Sequence, residues 1–526
     1  MWPAKCGRLP LFSPESLILS KKEWVSMRYV IGIDLGTSSV KAILVSEKGE
    51  IYREVSKSYP LIQPRAGYSE QAPEEWVMKT KEALKELVED FDGNVRDIQG
   101  ISFSGQMHGL VLLDDNDQPI RNAILWNDTR TTKQCRRIIE VLGENQLYQW
   151  TKNPALEGFT LPKLLWVQEH EPENFSRIKT FLLPKDYLRF RMTNAVHSEY
   201  SDAAGTLLLD IKNKTWSREI CEAFSIDPTI CPPLVDSAEC VGRLNEDFAR
   251  ATGLSSETKV FAGGADNACG AIGAGITSPG KTMCSIGTSG VILTFEADAS
   301  PVYGGNVHFF NHAVKDAFYS MGVTLSAGYS LDWYKQRFAS EMGFEELLKE
   351  AESVPPGADG LLFTPYLVGE RTPHADAWIR GSFIGIDALH ERAHFTRAVL
   401  EGVTFSLNES IEILRASGKT IDTIVSIGGG AKSRVWLQIQ ADIFNARIIK
   451  LKSEQGPALG AAILAGLGCG WYVDIQDSVK TFVQVEQVYE PNPENVERYR
   501  SIFKLYQEIY RDTKNLNYLL NEYRKA

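Results

Sequence analysis

From residue 27 onward, short apolar runs alternate between a strand period of two and a helical period near 3.6, without any low-complexity linker. Tyr29–Asp34 and Val40–Ser46 predict two strands around the turn Leu35-Gly36-Thr37-Ser38-Ser39. Glu47-Lys48-Gly49-Glu50 predicts a second turn, leading into a strand over Ile51–Ser58. A helix follows from about Ala72 to Asp90, opened by Pro73 and an acidic first turn, and then a strand over Ile98–Ser104. Three antiparallel strands, a helix and a further strand make a mixed α/β sheet.

The order recurs in the second half. Lys281–Ile286 and Val291–Phe295 predict strands around Gly287-Thr288-Ser289-Gly290. The tripeptide Gly-Thr-Ser thus stands at the same place in two hairpins, at 36–38 and 287–289, which predicts duplicated halves facing a cleft. We divide the chain at 27–273 and 274–526. Val496, Tyr499, Phe503, Tyr506 and Tyr510 predict a C-terminal helix docked by its apolar stripe. Gly456–Val473 carries no charge over 18 residues. Its opening Gly-Pro and its density of glycine and alanine predict a buried, closely packed helix rather than a membrane span. Residues 1–26 have no clean period and carry three prolines. Lys22-Glu23 is encodable as AAG-GAG, the form of a bacterial ribosome-binding site, so translation is expected to begin at Met27 and residues 1–26 to be a disordered or mis-assigned extension.

Composition narrows the partners. The 526 residues carry 56 Lys+Arg against 67 Asp+Glu, a net charge of −11. That balance argues against nucleic acid or an anionic membrane surface as partner, so a phosphate-bearing ligand needs local amides and a metal. The eight cysteines form no CxxC pair, the pattern of free thiols in a reducing cytoplasm.

Asp34 ends a strand and is followed by Gly36, Thr37 and Ser38. Successive N–H groups in such a turn form an anion nest, and a carboxylate beside it suits magnesium bridging phosphate oxygens. The second copy, Gly287, Thr288 and Ser289, allows two phosphate turns to grip one nucleotide tail. Ser426-Ile-Gly-Gly-Gly-Ala-Lys-Ser433 follows a strand and precedes a helix, and Gly429 and Gly430 there let a flat ring lie against backbone. Asp266 and Asn267 follow the strand Lys259–Ala262 among small residues, where a carboxylate could take a proton from a substrate hydroxyl. Gln106, Met107 and His108, between Gly105 and Gly109, suit a polyhydroxylated ligand. No Arg or Lys lies within Ser104–Gly109, and Arg130 is the nearest candidate cation for a sugar acid.

Two matches are set aside. Gly275–Thr282 fits the Walker A pattern, yet a strand follows where a P-loop needs a helix. His390-Glu-Arg-Ala-His394 fits HExxH. Drawn on a helix, both histidines share a stripe with Arg397 and Glu401, and an arginine one turn from the proposed zinc site disfavours a dication.

The chain resembles the FGGY carbohydrate kinases of the actin and sugar-kinase superfamily, from about Tyr29 to Gly470. Gly158–His170 matches the first family signature, and Gly381–Ile386 with His394, Phe395 and Ala398–Glu401 the second. Gly105–Gly109, Ala123–Asp128, Leu183–Leu188 and Ser201–Thr206 resemble the members that phosphorylate xylulose, with those acting on gluconate the near alternative. The resemblance implies two ribonuclease H-like domains around a central cleft, taking ATP, magnesium and a small sugar. It implies Asp266 as proton acceptor, Asp34 at metal and phosphates, Met107 and His108 on the sugar, and Gly429 and Gly430 at adenosine. Trp126, Asn127 and Asp128 are carried over as sugar-site lining. A neutral sugar, D-xylulose phosphorylated at O5, is expected. A homodimer is left open, as is an ATPase acting on a protein partner on the same superfold.

Overall fold

The computed structural model describes residues 27–453 and 455–525. The proposed extension, 1–26, lies outside them. Two sheets carry the fold. The first contains β1 (Tyr29–Leu35), β2 (Ser39–Ser46), β3 (Ile51–Ser58), β4 (Ile98–Gly105), β5 (Cys240–Arg243) and β6 (Lys259–Phe261), in the order β5-β6-β4-β1-β2-β3. The second contains β7 (Thr282–Ile286), β8 (Gly290–Glu296), β9 (His308–Asn311), β10 (Phe318–Thr324), β11 (Thr423–Gly428), β12 (Arg447–Leu451) and β13 (Val485–Tyr489), in the order β9-β10-β8-β7-β11-β12-β13.

The duplication is topological. In each sheet the first strand lies antiparallel to its hairpin partner and parallel to the strand that returns after a helix. Helix α1 (Pro73–Glu89) makes that crossover in the first half, and α3 (Arg392–Ala416) lies in the corresponding stretch of the second. β1 is buried along most of its length on both faces, as its near-continuous apolar run YVIGIDL requires. β3, at the edge, alternates and is mostly exposed.

Each half contributes an apolar helix, α2 (Asp266–Gly273) and α5 (Gly456–Gly468), and the two pack on each other. Glycine permits the approach. A Cβ at Gly460 would stand 1.9 Å from the Cys269 carbonyl oxygen, and one at Gly32 in β1 2.1 Å from that of Ala458. The uncharged, glycine-rich stretch is therefore a helix sunk between α2 and the first sheet. Among the described residues no helix is long and apolar enough to cross a membrane. A boundary at 273 separates the sheets but not the packing, because α5 comes from the second half and covers the first sheet.

Helix α4 (Arg434–Phe444) follows β11, and α6 (Pro493–Lys525) closes the chain with Tyr499 and Tyr506 buried. The Tyr499 hydroxyl meets the buried Arg397–Glu401 pair, so that stripe is structural. The HExxH residues do not share a helix. α3 starts at Arg392 because Glu391 caps it, with the His394 ring accepting from the Glu391 N–H, and His390 lies before the first turn. The Walker A match ends in β7, a strand, as its sequence context requires.

Candidate active site

β1 and β4 run parallel and place Asp34 opposite Ser104, whose hydroxyl donates to Asp34 Oδ1 at 2.8 Å. Burial raises the Asp34 carboxyl, an effect that Ser104 and the Lys41 charge partly oppose. Asp266 is the first residue of α2, reached through Gly264-Ala265, which extends alongside the end of β4. Its Oδ1 accepts from Asn267 N at 2.7 Å and from Asn267 Nδ2 at 2.9 Å. Burial, with the Asp34 charge behind it, pushes Asp266 up to about 7 despite these donors. It keeps part of its surface open to the cleft. A carboxylate poised near neutrality suits proton transfer.

The sugar-site residues form a chain leading away from Asp266. Asn267 Nδ2 lies 3.8 Å from Met107 Sδ, as does the Tyr319 hydroxyl. His108 takes φ +69°, an uncommon backbone state for a non-glycine residue. Its carbonyl is held by Thr160 Oγ1 at 3.0 Å and Lys163 Nζ at 2.9 Å. Its Nδ1 donates to the Gly205 carbonyl at 2.6 Å, and burial lowers the imidazole to about 3. The ring is thus neutral, with Nε2 left as an acceptor for a hydroxyl. Phe159 and Phe310 flank it at 4.6 and 6.1 Å. Lys163 was legible only as part of the first signature, and its hold on His108 follows from the fold.

Two residues expected to contact the sugar are held by other protein groups. The buried Gln106 donates through Nε2 to the Gly36 carbonyl at 3.2 Å, so it braces the phosphate turn. Asp128 is also buried. It accepts from Ser69 N at 2.6 Å and pairs with Arg130, which is further held by Glu70 and by the Tyr68 ring at 3.7 Å. Arg130 is therefore spent and cannot serve a sugar carboxylate. Trp126 is exposed and donates through Nε1 to Thr37 Oγ1 at 2.9 Å, and Asn127 is exposed beside it.

The turn 36–38 is tied by Gly36 N to the Ser39 carbonyl at 3.0 Å, and by Gln71 to the Thr37 carbonyl at 2.7 Å. Gly287 N likewise donates to the Ser289 carbonyl at 3.0 Å, and Ala327 N to the Thr288 carbonyl at 3.0 Å. Gly287 and Thr288 share a cavity of about 900 Å³ with Gly429 and Gly430. Gly428 takes φ +79°, and a Cβ at Gly430 would stand 2.7 Å from the Ile286 side chain. The glycine run thus lets the strand ends of β7 and β11 meet beneath the cavity. Its apolar rim, including Tyr329, Leu331 and Phe344, suits a flat base.

Asp34 and Asp266 form no ion pair with a lysine or arginine among the described residues, and no described cluster of three or more His, Cys, Asp or Glu could cage a metal. Two carboxylates without an ion pair, beside an anion nest, fit a hard dication that brings phosphate and water as its other ligands.

The model for "FGGY family of carbohydrate kinases, N-terminal domain" matches residues 29–273, and that for the C-terminal domain matches 282–469. A xylulose kinase of Bacillus subtilis is 61% identical over 95% of this chain and 100% of its own length. A gluconokinase of the same organism is 30% identical over 95% of this chain and 98% of its own. The crystal structure of ligand-bound xylulose kinase from Lactobacillus acidophilus superposes with TM-score 0.88 at 30% identity, covering 93% of this chain and 98% of that one.

Proposed function

The chain belongs to the FGGY family of carbohydrate kinases, and from that premise we propose that it transfers the γ-phosphoryl group of ATP to O5 of D-xylulose, yielding D-xylulose 5-phosphate. The observation that carries the choice of sugar is the doubled identity to one Bacillus subtilis relative over the other, xylulose kinase over gluconokinase. The enclosed Arg130, paired with Asp128 and Glu70, supports a neutral sugar as well.

Phosphoryl transfer is chiefly positioning and charge stabilisation around a loose transition state. His108 accepts from a sugar hydroxyl through Nε2, and Asn267 holds the carboxylate of Asp266. Asp266 accepts the proton of the O5 hydroxyl as oxygen attacks, a contribution of roughly 10²–10⁴ in rate. The amides of Thr37, Ser38, Thr288 and Ser289 hold the phosphates, and the cavity over Gly429 and Gly430 takes the adenosine. Magnesium would be held by Asp34 and would offset charge on the phosphate oxygens. Asp34, kept in place by Ser104, orients that end of the site. The hydroxyl and aromatic lining supports a small polyol as acceptor rather than a protein partner. The described cysteines are free thiols, which supports a cytoplasmic setting.

A coupled ADP assay over a sugar panel tests the reading. D-xylulose should be the preferred acceptor. Preference for gluconate would overturn the sugar assignment, and absence of sugar-stimulated ATP turnover would overturn the kinase reading.

A further inference from the structure

The segment Glu370-Arg371-Thr372 belongs to none of the motifs used above, yet it is braced tightly against β10. Thr372 N donates to the Val323 carbonyl at 3.0 Å, and Val323 N donates to Thr372 Oγ1 at 3.1 Å. The buried Glu370 carboxylate accepts from Leu325 N at 3.0 Å and from Arg371 N at 2.7 Å. Arg371 is therefore pinned on both sides. Its own guanidinium makes no ion pair or hydrogen bond among the described residues, and the residue is half-buried. Five N–H donors left unmatched in a partly dry site are costly unless a ligand brings acceptors.

Strand register places this segment beside the sugar wall. Met321, two residues before Val323, pairs with His308 of β9. The His308 ring lies 5.9 Å from Phe159, which packs 4.6 Å from His108. The Arg371 charge acts on both imidazoles and helps hold them neutral, while it is not among the groups that perturb Asp266. The wall thus runs from Asp266 and Asn267, through Met107 and His108, to Arg371. One end is where the proton leaves and the other is remote from it.

We propose that Arg371 contacts the sugar at the end opposite the phosphorylated hydroxyl, its guanidinium fork gripping the adjacent C1 hydroxyl and C2 carbonyl oxygens of a ketose. The inference rests on the sugar-kinase reading above and names the residue that reads the keto end. Two neighbouring oxygen acceptors match the spacing of a planar fork, whereas an ammonium offers only a point charge. Reduction at C2 replaces the planar acceptor with a tetrahedral hydroxyl that carries its own proton. A site built to pair the ketone therefore discriminates against the alditol.

The test uses the full chain with Arg371→Met and Arg371→Lys. Calorimetric Kd values are measured for D-xylulose, xylitol and D-arabinitol, together with KM for D-xylulose and ATP. In wild type, D-xylulose should bind more tightly than either C2-reduced sugar. Arg371→Met should raise the D-xylulose KM by about tenfold or more, leave the ATP KM within about twofold, and cut the alditol-to-ketose Kd ratio by about tenfold. Arg371→Lys should lose the same ratio while keeping charge, which covers a methionine variant that does not fold. A retained ratio in the variants, or a uniform loss for all three sugars, overturns the inference while leaving the kinase reading intact. Wild-type preference for gluconate over D-xylulose overturns both the sugar assignment and the ketose grip.

Discussion

Replacing Asp266 by asparagine separates chemistry from stability. The Asp266 carboxyl is raised from its ordinary 3.8 to about 7 by burial and by Asp34. In the folded protein it holds its proton up to about pH 7, whereas in the unfolded chain it releases near 3.8. Between those values the folded state binds more protons, so this group contributes stability that is present below pH 3.8 and is lost as pH rises through about 7. Three pH units correspond to about 4 kcal/mol at full burial. Because Asp266 opens on the cleft, solvent screens part of this, and about 1–2 kcal/mol is expected. Asparagine cannot ionise, and its Oδ1 can still accept from both Asn267 donors. At pH 8 Asp266→Asn should therefore melt about 1–2 °C above wild type, with the difference vanishing near pH 4. Turnover at pH 8 should fall by roughly 10²–10⁴. Scanning calorimetry at the two pH values and a coupled ADP assay give both readouts. A variant that melts below wild type at pH 8, or phosphorylates sugar at the wild-type rate, would refute the reasoning.

The same group predicts the pH profile: kcat/KM for the sugar should climb about tenfold per pH unit below about 7 and flatten above it, and a flat profile from pH 5 to 8 would remove Asp266 as base. His108→Ala should raise the sugar KM by about tenfold while leaving the ATP KM within about twofold, since the ring faces the sugar wall and not the nucleotide cavity. Gly460→Ala would force a Cβ to 1.9 Å from the Cys269 carbonyl, so α2 and α5 must separate and the melting temperature should drop, at a cost of roughly 1–3 kcal/mol. Lys281→Ala should keep turnover within about twofold, whereas loss of a true P-loop lysine would cripple it.

The sequence by itself determined whatever depends on neighbours a few residues apart. Strand period, the Gly-Thr-Ser turns and the Pro-opened helix are local patterns, and each reappears within a residue or two of where the pattern put it. The duplicated hairpins and the carboxylates at strand ends were legible for the same reason. The HExxH match at His390–His394 does not lie on one helix, because Glu391 and His394 form the cap that starts α3 at Arg392. Only the tertiary structure decided which side chains share the cleft. Gln106 and Asp128 sit in site-like motifs, but Gly36, Ser69 and Arg130 turn them inward. Asp266 is poised by its burial and by Asp34, a group from the other end of the first half of the chain. Arg371 joins the sugar wall from a segment with no motif of its own, carried there by its bracing to β10. Burial and charge act through space, so they depend on residues distant in the chain, and no local pattern records them.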